Sequence, residues 1–146
     1  MAVSIRKITL WRTEVEHRPG ALAELLEPLA AAGADLQTVM GYRIPGNTRR
    51  AVVEVAPVSN RKAARAAEAA GLAPDGAPTL LVLGDNRPGL ANRIARALAS
   101  SGVNIAFLVA QVVGRRYSAV FGFENEADLD KAADRIRAAV TVRARR

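Results

Sequence analysis

The feature that most limits what this chain can fold into is an internal repeat. Displacing the sequence by 69 positions lays His17-Arg18-Pro19-Gly20 over Asn86-Arg87-Pro88-Gly89, and it matches Leu29 with Leu98, Ala30 with Ala99 and Gly33 with Gly102. Farther on, a displacement of 68 aligns Ala51-Val52 with Ala119-Val120, which predicts a hairpin loop one residue shorter in the second copy. A duplication resets the domain question, because each copy must close a small core of its own within 146 residues. The join falls in Leu72-Ala73-Pro74-Asp75-Gly76-Ala77-Pro78, where proline and glycine break any helix. A boundary at residue 77 gives domains 1–77 and 78–146.

Each copy reads as strand, helix, strand, strand, helix. In the first, residues 7–15 are rich in β-formers and run into Arg18-Pro19-Gly20, and proline in a first helical turn sacrifices no hydrogen bond. Leu22, Leu25, Leu26, Leu29 and Ala30 then form one helical stripe, with Pro28 inside it and Gly33 as a left-handed stop. Strands are expected over 36–44 and 49–56, joined by Pro45-Gly46-Asn47-Thr48, and an Ala-rich helix over 61–70, with Ser59 or Asn60 as its cap. The second copy gives strands over 80–83, 104–113 and 116–124. Its helices follow Gly89 and Asn125, and residues 141–145 offer a fourth strand. This is the α+β class: two ferredoxin-like βαββα(β) repeats, antiparallel sheets with helices on one face. The strands of the second copy are apolar on both faces, which predicts that something other than water covers the second face, either the other copy or a second chain.

Composition narrows the chemistry. The chain has no cysteine, which removes disulfides, thiolate metal sites and cysteine nucleophiles. The single histidine, His17, has no second histidine with which to share a metal, and no Gly-x-Ser-x-Gly elbow is present. Gly84 to Gly89 has the spacing of a phosphate loop, but Leu90-Ala91 follows where Lys and Ser or Thr are required. No catalytic set, metal or cofactor is therefore expected. The net charge of +7 comes from arginines scattered over both halves rather than from a basic face. The βαββαβ order is shared with RNA recognition motifs, yet residues 116–123 match the aromatic third-strand signature only at Arg116, Ala119 and Phe123. Phe121 and Phe123 are expected in the sheet core, and no sequence-specific nucleic-acid partner is expected. No stretch near Met1 has the apolar length of a signal or a membrane span, so a soluble, cytoplasmic protein with no membrane partner is expected.

The duplicated strand-to-helix junction carries the strongest functional signal. The first amides of a helix lack intrahelical acceptors and lie at the positive end of its dipole. The backbone around Gly20, Ala21 and Leu22, and around Gly89, Leu90 and Ala91, can therefore hold a carboxylate, with glycine allowing close approach.

Asp/Asn-x-Pro-Gly after a strand, then a helix, a glycine and Asn-Ile opening the next strand, resembles the ACT domain, an amino-acid-sensing module. Both halves fit, over about residues 7–72 and 79–145. The second, with Asp85-Asn86-Arg87-Pro88-Gly89 and Ser101-Gly102-Val103-Asn104-Ile105-Ala106, is similar to the serine-sensing ACT domain of phosphoglycerate dehydrogenase. The resemblance implies a free amino acid bound between two ACT domains, with ligand roles for Asn86 and Asn104. Their amide oxygens can accept from an ammonium group. His17 and Asp35 stand at these places in the first copy, and Gly84 replaces a histidine of the serine-sensing domain, so serine specificity is not carried over. The implied protein is a free-standing amino-acid sensor and homodimer. The alternative is a regulatory subunit of a separate metabolic enzyme, of the acetohydroxyacid synthase type, whose start is similar at Asn86-Arg87-Pro88-Gly89.

Overall fold

The computed structural model describes residues 3–141. In chain order its elements are β1 (Ser4–Ile8), β2 (Trp11–Glu16), α1 (Ala21–Ala31), β3 (Thr38–Arg43), β4 (Arg50–Ala56) and α2 (Arg61–Ala69). There follow β5 (Ala73–Pro74), β6 (Thr79–Asp85), α3 (Leu90–Ser100), β7 (Phe107–Val113), β8 (Arg116–Gly122) and α4 (Glu126–Thr141). They form two four-stranded antiparallel sheets, ordered β3-β4-β2-β5 and β1-β6-β8-β7. The fold is α+β, with two ferredoxin-like βαββα units.

The first unit is Thr9–Gly76, and the second combines residues 3–8 with residues 77–141. A single cut at residue 77 therefore needs correction, because the amino-terminal strand belongs to the later unit. The expected strand over 7–15 is two strands parted at Thr9-Leu10. β1 pairs with β6, from Ser4 opposite Leu83 to Ile8 opposite Thr79. β2 pairs with β4 and, at Trp11 and Arg12, with the two-residue β5, which lies in what the sequence presents as a linker. Neither Thr9 nor Leu10 is a turn former, so nothing local announces the change of sheet. The edge beside β6 is thus filled from the amino terminus. The fourth strand expected over 141–145 is not observed at Thr141, which ends α4, and residues 142–145 lie outside the described residues.

Each helix forms where its pattern places it. Asn60 caps α2 by accepting from the amide of Ala63 at 2.7 Å, and Asn125 caps α4 by accepting from Asp128 at 2.8 Å. Gly33 and Gly102 end α1 and α3 at φ 78° and 74°, with Ala34 donating to the Leu29 carbonyl and Val103 to that of Leu98. Pro28 is accommodated inside α1. The first core gathers Leu25 and Leu29 of α1 with Val53 and Val55 of β4, Ala67 and Leu72. The second is larger, joining Leu80, Ile94, Leu98, Phe121, Phe123 and Ile136 among others. Full burial of each large apolar side chain contributes about 1.5–3 kcal/mol. The Phe121 and Phe123 rings stack at 6.3 Å within this core, so they offer no surface for bases.

The second faces of the inner strands are also buried, at Val52 and Ala56 of β4 and at Leu81 and Val120 of β6 and β8. Among the described residues no helix is long and apolar enough to cross a membrane. The hairpin loops differ more than the sequence suggests. Glu16 pairs with Arg50 and Asp85 with Arg116, so the displacement falls to 66 through β4 and β8, and the second loop is three residues shorter, not one. It is the two-residue turn Gly114-Arg115, with Gly114 at φ 61°.

Candidate ligand-binding site

At both strand-to-helix junctions the backbone makes the same turn. His17 donates its amide to the Arg49 carbonyl at 2.8 Å, and Asn86 donates to Arg115 at 2.8 Å. Gly20 and Gly89 follow as helix caps in the left-handed conformation, at φ 87° and 80°, with no side chain capping either helix. A side chain at either position would be strained, which explains the repeated glycine. The amides of Leu22 and Ala23, and of Ala91 and Asn92, consequently have no acceptor among the described residues. Exposed amides at a helix start are the arrangement that holds a carboxylate.

A pocket opens beside each junction. In the second unit it measures about 400 Å³ and is lined by Asn86, Arg87, Gly89, Leu90 and Ala91, with Ala110, Val112 and Tyr117 from the sheet. In the first unit a pocket of about 330 Å³ takes His17, Arg18, Ala21 and Leu22, with Tyr42 and Ala51 from the strands. Leu22, expected on the buried stripe, is instead 46% exposed and lines this pocket beside the buried Ala21. Gly20 holds the turn without lining the pocket.

Asn104 and Asp35 are not brought to these pockets. Asn86 follows the end of β6, whereas Asn104 precedes Phe107, which faces Gly122 and, through it, Thr79 at the start of β6. Seven residues of strand, about 3.4 Å each, separate the two ends. A small ligand touching both asparagines must take Asn104 from another domain. Asp35 stands at the corresponding far end of the first unit, just before β3, and is exposed.

The sequence missed Tyr117 as a pocket residue. It is only 5% exposed, and its phenol makes no hydrogen bond among the described residues. Among the described residues no sealed side-chain polar atom lacks a partner, so this oxygen is not sealed off from solvent. Burial pushes its ionisation above the ordinary tyrosine value of 10.0, which keeps it a neutral donor. Its one sequence signal is a lone tyrosine where the first copy has Ala51 in the aligned strand.

The two junctions differ in charge. Arg18 grips both carboxylate oxygens of Glu24, with Nη1 3.1 Å from Oε1, and reaches Glu16 at 3.2 Å. Hydrogen bonding to Arg18 holds the Glu24 carboxyl below the usual glutamate range, and Glu24 in turn raises the guanidinium. In the second unit, Arg93 occupies the position of Glu24. Asp85, at the place of Glu16, is engaged by Arg116 at 3.1 Å. The guanidinium of Arg87, the counterpart of Arg18, makes no hydrogen bond or ion pair among the described residues.

Comparison with known proteins agrees with this architecture. The profile of the ACT domain family matches residues 78–141, within the second unit. No curated protein matches the sequence. Among solved structures, protein BT0572 from Bacteroides thetaiotaomicron superposes with a TM-score of 0.73 at 19% identity, over 92% of this chain and 89% of that one. The ligand-free regulatory subunit of aspartate kinase from Thermus thermophilus superposes at 0.62 and 18% identity, over 94% and 95% of the two chains. That of Thermus flavus does so at 0.57 and 19%, over 96% and 97%. At these identities the likeness establishes the fold.

Proposed function

We propose that this chain is a regulatory protein that binds a free amino acid at the junction of its second unit. The observation that carries the reading is the pocket of about 400 Å³ set against the unsatisfied amides of Ala91 and Asn92. The ligand's carboxylate rests on those amides, and its ammonium lies near the Asn86 side chain and an Asn104 drawn from a neighbouring domain. The first unit is a diverged copy of the same module, with His17 and Asp35 in place of the two asparagines. The chain acts as a homodimer. A partner enzyme is the second reading, favoured because a structural relative of matching extent is itself a regulatory subunit of aspartate kinase.

Titration calorimetry with the common amino acids tests the site. Removing one charge-assisted hydrogen bond costs roughly 1.5–3 kcal/mol, about ten-fold to over a hundred-fold in affinity. Asn86→Ala and Asn104→Ala are each expected to show that loss with an unchanged fold by circular dichroism. If the wild type binds no amino acid at millimolar concentration, or if both variants bind as it does, the assignment is wrong.

A further inference from the structure

We infer that the site of the second unit takes an amino acid with a second acidic group, a dicarboxylic amino acid, an inference that rests on the amino-acid-binding reading above and narrows it. The two junctions share one backbone frame, so the difference between them isolates what the side chains ask of a ligand. In the first unit, Arg18 is neutralised from within by Glu24 and Glu16. Glu24 also lies in the first turn of α1, where its charge suits the positive end of the helix dipole. In the second unit no acidic residue lies in the first turn of α3, and Arg93 stands where Glu24 would be.

Arg87 and the helix start therefore concentrate positive potential beside one pocket. The nearby carboxylate of Asp85 already bonds to Arg116. Tyr117, almost wholly buried yet with a phenol that makes no hydrogen bond among the described residues, adds a donor that lines this pocket and the smaller cleft containing Arg87 and Arg93. One carboxylate occupies the amides at the helix start. The second takes the role that Glu24 plays in the first unit, bridging the Arg87 guanidinium in the fork geometry that arginine offers carboxylates, and it accepts from the Tyr117 hydroxyl.

Calorimetry on the full chain compares aspartate and glutamate with their uncharged isosteres, asparagine and glutamine. The acids are expected to bind about ten-fold or more tightly than the amides. Arg87→Gln, an exposed substitution, is expected to erase that preference by bringing the acids down toward the amides. Arg93→Glu, which rebuilds the ion pair of the first unit, is expected to do the same. Tyr117→Phe is expected to weaken the acids more than the amides, with the fold checked by thermal denaturation. Amides that bind as tightly as acids, through a site sensitive to Asn86→Ala, overturn this inference and leave the amino-acid reading standing. Equal displacement of bound acid by inorganic phosphate also overturns it, since the site is then a general anion site. A wild type that binds no amino acid of any class overturns both.

Discussion

Glu54 is buried in the middle of β4, on the opposite face from the core residues Val53 and Val55, with Arg12 at 3.9 Å. Burial first, and then the neighbouring charge of Asp75, push its carboxyl above the ordinary value of 4.5. The folded protein then holds this proton more tightly than the unfolded chain does. The associated stability is fully present below 4.5 and is lost as pH rises from there through the raised value. Glu54→Gln is expected to be more stable than the wild type at neutral pH, with the advantage shrinking toward pH 4, as urea denaturation across this range will show. Gly122 sets the opposite constraint, because the Phe107 ring lies where its side chain would be. Gly122→Ala must push that ring aside and is expected to lose about 1–3 kcal/mol in the same assay. Residues such as His17, Arg87 and Gly89 were legible in the sequence because their positions in a repeated motif carry the signal. Glu54 and Tyr117 were not, because what buries them comes from distant strands.

At the scale of elements, the helices were legible because their apolar period and their caps are local, as at Asn60 and Asn125. The strand pairings were partly hidden. The apolar alternation of residues 3–8 suits any sheet edge, and only the register against β6 shows which one it fills. Lys7 reaches Glu126 and Asp130 of α4 at 3.2 and 3.1 Å, but these pairs are exposed and screened by solvent, so they add little. Strand pairing and the half-buried Val3 and Ile5 therefore hold β1 in place. Deleting residues 1–8 is expected to uncover β6, lower the melting temperature and strip hydrogen-exchange protection from residues 79–85. The amides of β4 should keep theirs. Loss of protection equally in both units would show that β1 is not specific to the second.

For the whole molecule, the edge strand β7 bears on assembly. Leu108, Val109, Val112 and Val113 are exposed on both of its faces, and no charge or proline between Phe107 and Val113 blocks pairing. A second copy is the partner consistent with the proposed dimer. Val113→Lys is expected to shift sedimentation toward the monomer while leaving the circular dichroism unchanged; an unaltered dimer would place the contact elsewhere. The interleaving of the two units also has a consequence during synthesis. Residues 9–76 contain every strand and helix of their own unit and can close as they leave the ribosome. β1 is made before the other elements described here yet waits longest for a partner, because Ser4 and Ile8 pair with Leu83 and Thr79, more than seventy positions downstream. Translation therefore imposes an order in which the earliest segment waits, edge exposed, until a unit encoded after it has been folded is under construction, and it is in that interval that a nascent chain is most open to chaperone capture.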